Sequence, residues 1–222
     1  TNAVLHLLAI AYEADVDLDI FEFGKVSMSV PHMVPMIPAG QYTLLDFYEA
    51  GGIPVMMKEL ATILDLNGIT CTGCTSKENI EKFQNKNPVH SRGGIAVIKG
   101  NVAPDGAVTK PSAIPESTLL FRGPAKIYES EQDALSGIRA KQVHGGEVVV
   151  IRNEGPKGGP GMPEMYKVMK VLVGMNLGSK VCVITDGRFS GSNNGCFVGH
   201  ICPEALDDGP IAYLQDGDVI TV

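Results

Sequence analysis

Residues 147–165 read EVVVIRNEGPKGGPGMPEM, and this stretch decides the fold. Val148, Val149, Val150 and Ile151 form an uninterrupted apolar run, the pattern of a buried strand. A loop rich in Gly and Pro follows, and then a Met-rich helix is expected over residues 164–175. A second apolar run, KVCVIT at residues 180–185, predicts another buried strand. Strand, Gly-rich loop, helix and strand in succession are the grammar of a loop-rich α/β enzyme.

The pattern continues outward in both directions. Toward the C-terminus, strands are expected at residues 197–201, 211–214 and 218–222. Toward the N-terminus, Ser130 is placed to cap a helix over residues 131–139, with Asp133 in its first turn. Strands are expected at 119–121 and 125–128, and two more at 94–99 and 107–109 flank the turn Pro104-Asp105-Gly106. Before Asn87-Pro88 the reading is helical. Asn2 is placed to cap a first helix, Asp17 or Asp19 a second, and Thr43 starts a third that stops at Gly51-Gly52. Pro31, Pro35 and Pro38 forbid regular helix between them. A fourth helix is expected over 55–64, with Pro54 near its first turn, and a short one from Ser76. Two domains are therefore expected, 1–86 and 87–222, with the boundary in the polar run 84–92.

Composition narrows the function. Eighteen Lys and Arg against 25 Asp and Glu give a net charge of −7, the opposite of a general nucleic-acid binder. With 44 % hydrophobic and 19 % charged residues, the chain of 222 has the material for a core. No apolar run reaches the roughly 18 residues of a membrane span, and residues 3–10 lack the flanks of a targeting segment. Five cysteines, an odd number, argue against a disulfide scaffold and for the reducing cytoplasm or an organelle matrix. The chain opens at Thr1 inside a helical pattern and is expected to be part of something longer.

Two strings carry candidate chemistry. In the loop 154–165, free N–H groups, a helix start and Lys157 make a geometry that suits an anion, although the string is neither a P-loop nor a dinucleotide fingerprint. The alternative is a tight structural crossover. Glu164, at the helix mouth, reads either as a carboxylate paired with the helix dipole or as a ligand for a hard metal. The second string is Thr185-Asp186-Gly187-Arg188-Phe189-Ser190-Gly191, at the carboxyl end of a buried strand, where α/β proteins place reactive groups. Ser190 is a reactive hydroxyl or a turn residue; Arg188 holds an anionic substrate or pairs with Asp186. Cys71-x2-Cys74 has no second pair at zinc spacing and reads as two incidental thiols, and Cys182 as a small buried hydrophobe. His200 is the one histidine on a strand near the second string and could orient a site residue.

Taken together, these strings resemble the dihydroxy-acid and 6-phosphogluconate dehydratase family, which includes the aldonate dehydratases. The matching stretches are residues 1–7, 49–54, 93–97, 100–106, 121–125, 154–165, 185–191 and 199–205, in the family's order. The form of the 154–165 loop is closer to the dihydroxy-acid and aldonate branch. The resemblance implies the helical tail of an N-terminal α/β domain followed by a C-terminal swivelling β/β/α barrel-like domain. It implies dehydration of a 2,3-dihydroxy carboxylate to a 2-keto acid, most simply in branched-chain amino-acid synthesis; the alternatives are an aldonate dehydratase or a non-catalytic anion-binding or assembly module. By motif position Ser190 corresponds to the catalytic base, Glu164 to a Mg²⁺ ligand, and Ser190, Gly191 and Ser192 to substrate contacts. An iron–sulfur cluster is implied too, with ligands expected upstream of Thr1 rather than at Cys71 and Cys74. The expected partners are a small dihydroxy acid and a second subunit in a homodimer, with neither nucleic acid nor membrane.

Overall fold

The computed structural model describes residues 2–81, 94–190 and 195–222. It divides into two compact units, Thr1–Gly24 with Ile95–Val222, and Lys25–Gly94.

The chain opens with α1 (Asn2–Glu13) and α2 (Ile20–Ser29). In the first unit the described strands are β1 (Ala96–Ile98), β2 (Gly106–Thr109), β3 (Arg122–Tyr128), β4 (Val148–Ile151), β5 (Cys182–Thr185), β6 (Cys196–Cys202) and β7 (Val219–Thr221). They form one sheet in the order β1-β2-β6-β5-β4-β3-β7. The four central strands β6, β5, β4 and β3 run parallel, and the outer pairings are antiparallel.

The parallel centre follows from its crossovers. Helix α6 (Glu131–Arg139) links β3 to β4, and α7 (Tyr166–Gly174) links β4 to β5. Ser130 caps α6, its side chain accepting from the Asp133 N–H at 3.1 Å. Successive strand residues face opposite ways, and both faces are covered. Val149, Ile151, Val183 and Phe197 pack under Leu135, Ile138, Val168, Met169 and Leu172 of the helices. Val148, Val150, Cys182, Ile184, Cys196 and Val198 pack on the other side with Phe121, Ile201, Ile211 and Ile220. Ile98, at the end of one edge strand, and Ile220, from the other edge strand, line a single cavity of about 100 Å³. The sheet therefore curls into a half-barrel, as the α/β, barrel-like expectation requires.

Two expected strands are absent. Residues 119–121 do not form a strand of their own; the strand begins at Arg122 and runs unbroken through Gly123-Pro124 to Tyr128. Pro124 is tolerated because residues 122–124 pair only with β7, while residues 125–128 pair with β4. Residues expected as a strand at 211–214 form a 3₁₀ turn, Pro210–Tyr213. Pro210 sits at its first position, and Arg152, at the end of β4, collects the carbonyls of Ile211, Ala212 and Leu214 at 3.3, 2.6 and 3.1 Å. Those oxygens are spent on a guanidinium rather than on a neighbouring strand.

In the second unit the helices are short: α3 (Leu44–Glu49), α4 (Gly52–Glu59) and α5 (Ser76–Glu81). Thr43 caps α3 in a reciprocal box, accepting from the Asp46 N–H at 3.2 Å while the Asp46 carboxylate accepts from the Thr43 N–H at 2.6 Å. Thr75 and Glu78 repeat the arrangement at α5. The fourth helix starts earlier and ends earlier than 55–64, because Gly51, at φ +109°, turns the chain directly into α4. The boundary expected within 84–92 lies outside the described residues.

Candidate functional site

The carboxyl ends of β4 and β5 carry the two strings singled out above, and hydrogen bonds to two buried carboxylates fix their shape. Asp186, the first residue after β5, is only 1 % exposed. Its carboxylate accepts from the backbone N–H groups of Asn153 and Glu154 at 3.0 Å each and of Ala205 at 2.9 Å. One side chain thus ties the start of the Gly-rich loop to the turn after β6. Glu204, 5 % exposed, accepts from the N–H groups of Lys157 at 2.8 Å and Gly158 at 2.9 Å. Gly155 permits this: a Cβ there would lie 2.5 Å from the Glu204 Oε2.

This arrangement corrects the reading of the loop as an open anion site. The N–H groups of Lys157 and Gly158 already hold an internal carboxylate, and the Lys157 ammonium pairs with Asp207. Charge-assisted bonds of this kind are the strong ones, so the loop is a self-contained latch. Glu154, at its start, is also engaged: its Oε1 accepts from the Glu131 N–H, the first of α6, at 2.6 Å.

The loop then returns to the sheet. Glu164 forms a parallel bridge with Arg188, and the Met165 N–H donates to the Arg188 carbonyl at 3.1 Å. Glu164 is therefore placed beside the segment that leads, two residues later, to Ser190. Helix α7 begins only at Tyr166, so Glu164 lies ahead of the helix cap rather than in the first turn. Its carboxylate is exposed and accepts from the side-chain amide of Asn2. Asn2 is the first residue of α1 rather than its cap, and its amide is committed to Glu164 instead. Arg188 does not pair with Asp186; its Nε donates to the Met162 carbonyl inside the loop.

The Ser190 turn is pinned at its base. The Gly187 N–H donates to the Thr185 Oγ1 at 2.9 Å, and the His200 N–H to the Gly187 carbonyl at 2.8 Å. Gly187 admits no side chain, since a Cβ would stand 2.7 Å from that of Glu154. Phe189 is buried edge-on against Phe197, with ring centroids 5.0 Å apart, and anchors the segment in the core. Ser190 itself is half-buried. Gly191 and Ser192 lie outside the described residues.

His200 sits at an irregularity where β6 pairs with β2 and has a left-handed φ of +56°. Burial, above all, pushes its imidazole down to about 4, so the ring is neutral at pH 7. Its Nε2 is buried without a hydrogen-bond partner among the described residues. Sequence reasoning missed the latch. Glu204 contacts residues 46 and 47 positions away, and no local pattern announces such a contact. The one local signal is an acidic residue, Asp186, directly after a fully buried strand, which must find donors or remain costly.

Residues 1–79 match the family described as dihydroxy-acid/6-phosphogluconate dehydratase N-terminal, and residues 80–222 its C-terminal counterpart. A dihydroxy-acid dehydratase of Sulfolobus acidocaldarius is 48 % identical over the whole of this chain, which covers 42 % of that protein. Namesakes from Saccharolobus islandicus and Streptococcus pneumoniae are each 47 % identical, with 42 % and 41 % of their length covered. The chain thus spans about two-fifths of these relatives.

Proposed function

Because the chain belongs to the dihydroxy-acid/6-phosphogluconate dehydratase family, we propose that it forms part of a hydro-lyase converting a 2,3-dihydroxy carboxylate to a 2-keto acid. The observation that carries this reading is the 48 % identity, over the entire chain, to a protein named dihydroxy-acid dehydratase. The placement of Glu164 beside the Ser190 segment, at the carboxyl ends of parallel strands, supports it.

In this reading Ser190 removes the C2 proton. That proton is a very weak acid, and a serine hydroxyl yields little alkoxide at neutral pH, so the base works only where positive charge stabilises both the alkoxide and the developing enolate. Glu164 fits one ligand position of a Mg²⁺ ion: it is an exposed carboxylate on a backbone fixed by Arg188, with its side chain steadied by the Asn2 amide. Bound there, Mg²⁺ would supply a Lewis acid that draws charge from the developing enolate. The Asp186 and Glu204 latch keeps the two strings in register, so that the hydroxyl and the carboxylate need no reorganisation during the reaction. The cysteines of this chain do not fit an iron–sulfur cluster. Cys182 and Cys196 are buried, and no three Cys, His, Asp or Glu side chains gather among the described residues.

The test is a substrate panel on the full-length protein that contains this chain. 2,3-Dihydroxy-isovalerate is expected to give its 2-keto acid with a higher kcat/KM than C5 sugar acids, in a Mg²⁺-dependent reaction that Glu164→Gln weakens. Turnover of sugar acids alone would move the assignment to an aldonate dehydratase, and turnover of neither would overturn it.

A further inference from the structure

Two thiols in the sheet have no role in the chemistry above. Cys182, on β5, and Cys196, on β6, stand directly opposite each other in the parallel pairing. Both side chains point into the same apolar layer and are 0 % and 2 % exposed. Their sulfurs are 2.9 Å apart, well inside a van der Waals contact between two sulfur atoms. Neighbouring strands lie roughly 4.7–4.9 Å apart, and disulfides accept Cα separations of about 4.4–6.8 Å. Opposite positions on adjacent strands therefore fall within that range, and the two sulfurs already face each other. The other three cysteines are exposed.

We propose that Cys182 and Cys196 form a site of reversible oxidation, closing a disulfide that staples β5 to β6 when the chain folds in the presence of a small-molecule disulfide. The thiolate of Cys196 attacks one sulfur of glutathione disulfide and releases a glutathione thiolate. The thiolate of Cys182 then attacks the Cys196 sulfur of the mixed disulfide and releases the second. Two protein thiols are oxidised, one glutathione disulfide is reduced to two thiols, and the two protons pass to the departing thiolates. Either thiol can attack first, and the exchange balances in the same way in both orders. Because both sulfurs are shielded in the folded sheet, closure accompanies folding, before β6 docks.

The consequence falls on the candidate site. Asp186 to Ser190 are the first residues of the connection between these two strands, and that connection lies inside the ring the staple closes, with Cys182 at the start of β5 and Cys196 at the start of β6. The two cysteines are 14 positions apart. In the chain-entropy picture a ring of about that size shifts the folding equilibrium by on the order of 100-fold. The inference rests on the packing of the sheet and holds whatever the enzyme's substrate is.

The test refolds the protein from urea in oxidised and reduced glutathione, then alkylates free thiols and digests with trypsin. Cleavage after Lys180 and Arg188 leaves Cys182 as the one cysteine of its peptide, residues 181–188. The experiment uses the Cys202→Ser protein, in which Cys196 is the one cysteine among residues 189–222, which follow that cleavage with no further Lys or Arg. The expected product joins these two peptides, with a mass lower by two hydrogens than their sum, and it separates on reduction. The oxidised protein should also resist urea more than the reduced one, a difference lost in Cys196→Val. If that variant does not fold, Cys182→Ala serves in its place, and the peptide map of the Cys202→Ser protein stands without either. Recovery of Cys182 in alkylated form from natively refolded protein, or its linkage to Cys71 or Cys74 instead, would overturn the proposal.

Discussion

The sheet of the first unit and the helices of residues 25–94 are held by different forces. Every residue of β4 and β5 is buried, and two apolar layers close over the sheet. In α3 no residue is buried, and in α4 only Val55 is. Leu44, Leu45 and Tyr48 remain 70 %, 63 % and 76 % exposed. What shapes those helices is local: the Thr43–Asp46 and Thr75–Glu78 boxes and the left-handed turn at Gly51. Within these residues, then, the apolar side chains of the sheet are closed over by their own neighbours, whereas those of α3 and α4 are left open and only the caps hold the helices.

That contrast predicts a graded series of stability losses. Leu172, wholly buried between α7 and the sheet, is expected to lose about 2–5 kcal/mol on replacement by Ala, read as a lower urea midpoint. A loss near zero would mean that the helices do not close over the sheet. Asp186→Asn keeps the shape but leaves one acceptor oxygen for three N–H donors. It should cost about 2–3 kcal/mol and speed amide exchange at Asn153, Glu154 and Ala205 together. Exchange confined to one of the three would dissolve the latch.

Protonation gives the next effect. The folded His200 titrates at about 4, below its ordinary 6.5, so the unfolded chain takes up the proton first as the pH falls. Stability should therefore be intact above pH 6.5 and decline by about 3 kcal/mol by pH 4, and His200→Gln should flatten that part of the profile. An unchanged profile in the variant would assign the decline to other groups. The smallest effect is expected at Thr43→Ala, about 1 kcal/mol, detected as faster exchange within α3 while the exchange of β4 and β5 is unaltered. A change spread into the sheet would break the comparison.

The sequence was legible where a local signal and tertiary packing agree. The apolar runs at β4 and β5 and the Ser130 cap of α6 fall where periodicity puts them, because burial reinforces the local preference. It was misread where a distant group takes over the backbone. Arg152 converts 211–214 into a 3₁₀ turn, and pairing with β7 carries β3 through Pro124. The site shows the same division. Glu164 and Ser190 stand in strings that read as chemistry, whereas the Glu204 carboxylate in the loop and the Asn2 amide on Glu164 come from distant positions that no spacing rule connects.

The proposed base is the point on which the account turns, and hydrogen exchange at the substrate's C2 reads it most directly. In the full-length protein, Ser190→Ala removes one oxygen from a half-buried residue whose neighbour Phe189 still anchors the turn. Turnover of the dihydroxy acid should fall by on the order of 10²-fold or more, with a smaller change in KM, and incorporation of solvent deuterium at C2 should be lost with it. A folded Ser190→Ala enzyme that still dehydrates and exchanges at near-normal rates would contradict the assignment.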